Sequence, residues 1–141
     1  MDVYFKKEIS YLFGKEEFKF DVAETLFSTF DIDHGTDILI RAITLSKPKS
    51  ILDLGCGYGP LGIILAKNNP EAKVVMVDKD LLAVRYAKYN IAKNNITNAV
   101  VLGSLGVEEV KDKTKPINAA LDGTRNMGTN IVTNRAISIV L

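Results

Sequence analysis

The chain of 141 residues is 47% apolar and 25% charged, a balance typical of one globular domain and not of a disordered chain. Its 18 basic and 17 acidic residues give a net charge of +1, which neither demands nor excludes a nucleic-acid partner. The single cysteine, Cys56, excludes an internal disulfide framework and a multi-cysteine zinc site. No apolar run is long enough to cross a bilayer and the first residues lack the order of a signal peptide, so we expect a cytoplasmic protein that contacts no membrane.

The first predicted element is a β-hairpin over residues 9–22. Apolar residues alternate with polar ones on both sides of a glycine-containing turn at residues 14–17. Residues 27–35 are predicted to form an irregular loop. A helix is predicted over residues 37–46, with Thr36 as its N-cap and an acid in its first turn.

A repeated pattern of strand, loop and helix follows the first helix. Because strands alternate with helices, we expect a parallel sheet with right-handed crossovers. Strands are predicted over residues 51–54, 73–77 and 99–102, one helix begins at Pro60, and a second covers about residues 80–94 with Asp80 as its cap.

The first of these strands runs into a glycine loop, D-L-G-C-G-Y-G at residues 53–59. Glycine admits positive φ and close approach of a ligand, and ligands of open α/β sheets lie beyond the carboxyl ends of the strands. Residues 57–62 also spell G-x-G-x-x-G, the dinucleotide fingerprint. Two ligands are compared here, NAD, which carries a diphosphate, and S-adenosylmethionine, which carries an ammonium and a sulfonium group. The negative charge of Asp53 would repel the diphosphate and attract the two cationic groups. The residues therefore favour S-adenosylmethionine over NAD.

A second acid, Asp78, ends the next strand. A carboxylate at this position can accept hydrogen bonds from both ribose hydroxyls of an adenosine ligand. NAD enzymes share that role, so Asp78 supports an adenosine ligand without choosing between the two. The alternative, a helix cap, suits Asp80 better.

Residues 51–63, I-L-D-L-G-C-G-Y-G-P-L-G-I, closely resemble the first motif of the small-domain ribosomal RNA guanine-N2 methyltransferases, a group with archaeal members. Residues 27–28 and 33–36 resemble that group's F-S…D-x-G-T segment, which precedes the first core helix and lies over the cofactor. The resemblance spans about residues 18–112. It implies a Rossmann-like class I methyltransferase fold, with a mostly parallel sheet, helices on both faces and an N-terminal β-hairpin.

The resemblance implies S-adenosyl-L-methionine as the cofactor and assigns contacts to it. The aspartate and glycines of the loop would hold the methionine part, Asp78 the ribose, and Ser104 with Leu105 the adenine. Tyr58 either packs on the cofactor or shields the loop, and Cys56 is expected there for its size. No metal or covalent nucleophile is needed. The candidate cofactor-binding residues are Phe27, Ser28, Thr36, Asp53, Gly55, Cys56, Gly57, Tyr58, Gly59, Asp78, Lys79, Ser104 and Leu105.

The group's catalytic motif, Asn-Pro-Pro, is absent from this sequence. In the group, the asparagine accepts a hydrogen bond from the exocyclic amine of the substrate and aims its lone pair at the sulfonium methyl. The nearest counterpart is I-V-T-N-R-A at residues 131–136, so Asn134 is the candidate catalytic residue, with a surface asparagine as the alternative. The sequence does not place residues beyond 112 in the sheet. We expect the group's last strands to be missing, which would leave an apolar sheet edge open to dimerisation.

These features predict a single methyltransferase domain, with the hairpin and a cofactor-covering loop in residues 1–35, the cofactor-binding core in 36–112 and a divergent tail in 113–141. The expected reaction is methyl transfer to an exocyclic amine of an unstacked guanine in ribosomal RNA. Two alternatives stay open. One is a cofactor-binding protein without catalysis, and the other is a protein or small-molecule N-methyltransferase.

Overall fold

An antiparallel hairpin forms the first element of a computed structural model that describes residues 2–26, 32, 34–43, 47–103, 131–134 and 137–140, the last two by backbone only. Strands β1, Phe5–Phe13, and β2, Glu16–Ala23, are joined by a two-residue turn. Gly14 opens this turn with φ 62°, the positive φ that type II′ hairpin turns require. Ile9 pairs with Phe20 and Tyr11 with Phe18, so these four side chains share one face. The predicted hairpin is present, and β1 begins four residues earlier than expected.

Helix α1 covers His34–Ala42, so it begins three residues before the predicted start at 37 and ends four residues before the predicted end at 46. Thr36 was predicted as the cap, but it lies in the first helical turn and is 5% exposed. Because the helix already begins at His34, Thr36 lies two residues past its start and its hydroxyl is not at the end of the helix. The negative charge of Asp37 in the same turn interacts favourably with the positive end of the helix dipole. Its carboxylate also accepts a hydrogen bond from the Tyr11 hydroxyl at 2.5 Å.

Three parallel strands and two helices form the centre of the molecule, as predicted. Leu54 of the first strand pairs with Val77 of the second, which pairs with Leu102 of the third. Asp80 caps the second of these helices, because its carboxylate accepts the Leu82 amide at 2.8 Å. The elements are β3 Ser50–Leu54, α2 Pro60–Asn68, β4 Lys73–Asp78, α3 Leu81–Lys93 and β5 Ala99–Gly103.

Both crossover helices lie on the same face of the sheet. The connections β3–α2–β4 and β4–α3–β5 step in one direction along the strand order, and right-handed crossovers then place their helices together. Alternation along the strands puts Leu52, Val75 and Val77 on the opposite face, where they are 1%, 2% and 2% exposed. The helices predicted for that second face remain a prediction, because residues 104–130 lie outside the described part of the chain.

The tail contributes two strands that the sequence did not place, β6 Ile131–Asn134 and β7 Ile137–Val140. The described strands have the order β5-β4-β3-β7-β6. Since β7 is antiparallel to β3 and to β6, strand β6 runs parallel to β3. The edge of β3 is therefore covered by β7. Dimerisation through a sheet edge remains a prediction, with β5 and β6 at the two edges of the described strands.

The hairpin packs on α3 and shares one apolar cluster with the sheet. Phe20 and Tyr86 are both 0% exposed and belong to this cluster together with Ile63 of α2. Burying a side chain of this size contributes about 1.5–3 kcal/mol. The hairpin is therefore held against the same helices that support the glycine loop. None of the helices in the described ranges is long and apolar enough to cross a membrane.

Candidate cofactor site

The glycine loop folds over the carboxyl end of β4. The amides of Gly55 and Cys56 both donate to the Val77 carbonyl, at 2.7 and 3.0 Å. Gly55, Gly57 and Gly59 have φ values of 72°, 58° and 102°, in the region that L side chains rarely adopt. The loop thus lies at the sheet edge where α/β proteins bind nucleotides and nucleosides.

The glycines differ in what surrounds them. A Cβ on Gly59 would lie 2.8 Å from Met76 Cε, and one on Gly62 would lie 2.6 Å from Met76 Cγ. These two glycines allow α2 to approach β4 closely. A Cβ on Gly57 would have no described atom within 4 Å, so this glycine borders open space. The open side of the loop at Gly57 is where a ligand can approach the backbone.

Asp78 ties the loop to the next turn of the chain. Its Oδ2 accepts the Gly57 amide at 2.8 Å and its Oδ1 accepts the Asp80 amide at 2.9 Å. Each carboxylate oxygen has two lone pairs, so each keeps one acceptor site for a further donor. Asp78 is half-buried at the end of β4 and remains accessible. This geometry suits a carboxylate that accepts hydrogen bonds from two vicinal hydroxyls.

The position of Asp53 corrects part of the sequence argument. Its side chain is 0% exposed, and its Oδ2 accepts the Gly62 amide at 3.0 Å while Oδ1 has no hydrogen-bond partner among the described residues. Burial raises the pKa of Asp53 to about 7, the Gly62 hydrogen bond opposes this shift, and the nearby charge of Asp78 adds to it. Asp53 was expected to face the ligand's cations directly. It lies instead beneath the loop, because its alternation along β3 points it at α2.

Two loop side chains also point inward. Tyr58 is 4% exposed and packs edge-on against Phe20, with 6.0 Å between the ring centroids. Packing of Tyr58 on a cofactor is therefore not what the structure shows, and its side chain shields the loop from below. Cys56 is also 4% exposed, and burial raises the pKa of its thiol well above its ordinary value. Since both side chains are buried, these two residues would contact a ligand in the loop through backbone atoms.

The other candidate residues fall in different places. Thr36 is buried in α1, whereas Lys79 is exposed beside Asp78. Asn134 ends β6, and the register places it one residue beyond the level of Leu54, at the carboxyl edge of the sheet. Phe27, Ser28, Ser104 and Leu105 lie outside the described residues.

Two residues that shape the loop, Gly62 and Asn90, were not among the predicted site residues. Gly62 was treated as part of a fingerprint, but its amide bonds Asp53 and its missing side chain leaves room for Met76. Asn90 is 0% exposed and donates to the Tyr58 carbonyl at 2.8 Å. An asparagine at an apolar position of a helix was the available signal, because a buried amide needs partners.

A glycine loop at the carboxyl edge of a parallel sheet, with an acid at the end of the neighbouring strand, defines a Rossmann-like nucleoside-binding fold. The chain belongs to the methyltransferase small domain family, whose family model matches residues 17–119. The resemblance seen in the glycine motif is confirmed by this match.

Curated relatives include two ribosomal RNA methyltransferases. Ribosomal RNA small subunit methyltransferase C of Actinobacillus succinogenes is 34% identical over 76 residues, which cover 54% of this chain and 23% of that protein. Ribosomal RNA large subunit methyltransferase G of Shewanella putrefaciens is 32% identical over 90 residues, 64% of this chain and 24% of that protein. The Bacillus subtilis protein YbxB is 32% identical over 100 residues, 70% of this chain and 50% of that protein. The chain thus spans half the length of these relatives or less.

Two solved structures share the fold. The Thermus thermophilus 16S rRNA N2 G1207 methyltransferase, in complex with AdoMet and guanosine, aligns with a TM-score of 0.60 at 15% identity over 95% of this chain and 49% of that one. The Pyrococcus abyssi tRNA (uracil-54, C5)-methyltransferase, in complex with S-adenosyl-L-homocysteine, aligns with a TM-score of 0.56 at 17% identity over 96% and 44%. The predicted Rossmann-like methyltransferase fold is confirmed.

Proposed function

We propose that this chain binds S-adenosyl-L-methionine across the glycine loop and transfers its methyl group to an exocyclic amine of a guanine in ribosomal RNA. The hydrogen bond from the Gly57 amide to Asp78 carries the cofactor part of the proposal. It fixes an open glycine backbone beside a carboxylate with free acceptor sites, which matches an amino-acid moiety joined to a ribose. In this placement the methionine part lies over residues 55–57 and the ribose hydroxyls donate to Asp78.

The negative charge of the buried Asp53 carboxylate also favours S-adenosylmethionine. One carboxylate oxygen has no described hydrogen-bond partner, so a cation above the loop favours ionisation of this acid. S-adenosylmethionine brings two cationic groups, whereas NAD brings a diphosphate that would disfavour the ionised acid. Membership of a methyltransferase family points the same way.

The acceptor is proposed from the relatives. Two of them are named as ribosomal RNA methyltransferases, and a structure of the same fold is described as an rRNA N2 methyltransferase with guanosine bound. An unstacked guanine would present its amine at the carboxyl edge of the sheet. A cytoplasmic location follows from this acceptor and is part of the proposal.

Asn134 is proposed to orient the acceptor amine. It lies level with Gly55 and two strands away, which corresponds to roughly 10 Å between the strand axes. Bound S-adenosylmethionine supplies an electrophilic methyl group on a sulfonium, so the protein's task is to position the amine in line with it. An amide oxygen that accepts one amine hydrogen leaves the nitrogen lone pair directed at the methyl carbon.

Two experiments test the proposal. Calorimetry with S-adenosylmethionine and with NADH should give binding of the first only, and tighter binding of NADH would contradict the cofactor assignment. Transfer of radiolabelled methyl to ribosomal RNA lacking the modification, compared with total protein, tests the acceptor. Label in protein would favour the protein methyltransferase, and tight cofactor binding with no label in either would favour a cofactor-binding protein without catalysis.

A further inference from the structure

The outer edge of β2 is bonded to two asparagine side chains, Asn90 of α3 and Asn94, the C-cap residue directly after α3. Asn90 accepts the Asp21 amide at 2.7 Å and donates to the Asp21 carbonyl at 3.0 Å. Asn94 makes the same pair of bonds with Lys19, at 3.0 and 2.8 Å. Each side-chain amide thus takes the place that a neighbouring strand would occupy beside β2.

The spacing of the two asparagines explains why the arrangement fits. Asn90 and Asn94 are four residues apart on a helix, an advance of about 6 Å, while Lys19 and Asp21 are two residues apart on a strand, an advance of about 6.8 Å. The two spacings are nearly equal. Two side chains on one face of the helix can therefore bond the backbone N–H and C=O groups of two alternate residues on an edge strand. We call this pair of contacts the asparagine clamp.

The two members of the clamp differ in their remaining donor. The second N–H of Asn90 donates to the Tyr58 carbonyl at 2.8 Å, inside the glycine loop. The second N–H of Asn94 donates to the Asn90 carbonyl at 2.8 Å, within its own helix. Both side chains hold the hairpin, and of the two only Asn90 also holds the loop.

The Tyr58 carbonyl stands between two glycines that both have positive φ. Gly57 at φ 58° and Gly59 at φ 102° give the loop unusual conformational freedom at these positions. The buried Asn90 amide bonds the carbonyl of the peptide between Tyr58 and Gly59, and the N–H of that peptide donates to the Cys56 carbonyl at 3.0 Å, so the two bonds together hold one orientation of the peptide. Two peptides earlier, the amide of Gly57 bonds to Asp78, so the orientation of this short segment sets the ligand-facing backbone.

We propose that Asn90 is a positioning residue for the cofactor loop, and that through it the N-terminal hairpin and the cofactor site stabilise each other. The inference rests on the proposed binding of S-adenosylmethionine at this loop. Asn90 does not touch the cofactor. It fixes the loop that does, and binding of the cofactor in turn tightens the hold of α3 on β2.

The variants Asn90→Ala and Asn94→Ala form a matched pair for calorimetry with S-adenosylmethionine. Each removes one hairpin contact of the same type, but only Asn90→Ala removes the loop bond. Loss of one buried hydrogen bond that stabilises the cofactor-bound state lowers the affinity for S-adenosylmethionine by about tenfold. We expect that loss for Asn90→Ala and less than about a twofold change for Asn94→Ala, with circular dichroism showing both variants folded. Equal losses, or losses that follow the melting temperatures of the two variants, would overturn the inference.

Two further readouts do not depend on the affinity of a variant. In the free protein, the amide resonances of Gly57 and Gly59 should shift in Asn90→Ala and stay in place in Asn94→Ala, which tests the loop bond even if S-adenosylmethionine does not bind. In the wild-type protein, S-adenosylmethionine should slow hydrogen exchange of the Asp21 amide, bonded to Asn90, more than that of the Lys19 amide, bonded to Asn94. Unchanged glycine resonances, or equal protection of the two hairpin amides, would contradict the positioning role. Failure of the wild-type protein to bind the cofactor would contradict the proposed function instead.

Discussion

The amide of Gly57 donates to Oδ2 of Asp78 at 2.8 Å, and this bond joins the glycine loop of one strand to the carboxylate that ends the next. Gly57 lies in the loop that follows β3 and Asp78 is the last residue of β4, and the carboxyl ends of these two parallel strands meet at the same edge. The bond therefore sets the distance between the two proposed halves of the cofactor site, the loop and the ribose carboxylate.

Replacement of Asp78 by asparagine should weaken S-adenosylmethionine binding by about ten- to a hundredfold. An amide has one acceptor oxygen where the carboxylate has two, and charge-assisted hydrogen bonds are roughly twice as strong as neutral ones. Calorimetry measures the change. Asp80→Asn is the matched control, because it removes the same charge two residues away and asparagine is an equally good helix cap. A similar loss of affinity in both variants would show that net charge, and not the hydroxyl contacts, is responsible.

Gly62→Ala should destabilise the fold by about 1–3 kcal/mol, the usual cost of overpacking a core. The added Cβ would lie 2.6 Å from Met76 Cγ and 2.9 Å from Asp53 Oδ2. Chemical denaturation of Gly62→Ala, Met76→Ala and the double variant forms the test. Met76→Ala should recover part of the loss caused by Gly62→Ala, because it removes the atom that the new methyl group meets.

The control for this cycle is Gly57→Ala, whose Cβ would meet no described atom and whose cost comes from its positive φ alone. Met76→Ala should leave that cost unchanged. If Met76→Ala recovered stability in both glycine variants, the steric explanation would be wrong.

Much of the fold could be predicted because its signals are local. The strand periods, Pro60 at a helix start, the Asp80 cap and the hairpin turn at Gly14 each depend on a few neighbouring residues, and the structure has all of them. Residues 131–140 could not be placed, since the neighbour of a short strand in a sheet is decided by distant partners. The antiparallel pairing of β7 with β3 has no signature in the segment itself.

The site shows the same division. The position of Asp78 followed from its place at the end of a strand, whereas its bond to Gly57 was not predicted. The predicted direction of Asp53 was wrong because the alternation of side chains along β3 turns this carboxylate toward α2 and away from the ligand side of the loop. Asn90 was missed because its three side-chain hydrogen bonds go to Asp21 of β2 and to Tyr58 of the loop, both remote in sequence.

Asn134→Ala should abolish methyl transfer and leave the affinity for S-adenosylmethionine unchanged. The proposed role of Asn134 is to hold the acceptor amine, which contributes to the transfer step and not to cofactor binding. The comparison of single-turnover methyl transfer with calorimetry separates the two quantities. Thr133→Ala, one residue earlier on β6, serves as the control and should retain transfer. Full activity in Asn134→Ala would assign Asn134 to the surface and leave the amine to another residue.

The raised pKa of Asp53 should make the stability of the protein depend on pH in a defined window. The folded protein holds this proton up to about pH 7, whereas the unfolded chain releases it near the ordinary value of 3.8. The contribution of Asp53 to the free energy of unfolding should therefore be highest below pH 4. It should fall as the pH rises toward 7 and level off above that. The slope is at most about 1.4 kcal/mol per pH unit.

Asp53→Asn isolates this contribution, since its amide oxygen can still accept the Gly62 amide but does not titrate. Chemical denaturation between pH 5 and pH 8 should show the fall in stability for the wild-type protein and a flatter profile for the variant. Cationic S-adenosylmethionine favours the ionised acid, so its binding near pH 7 should release part of a proton in the wild-type protein and none from this position in Asp53→Asn. Calorimetry in two buffers with different ionisation enthalpies measures that release, and equal proton release by both proteins would mean that Asp53 is not coupled to the ligand.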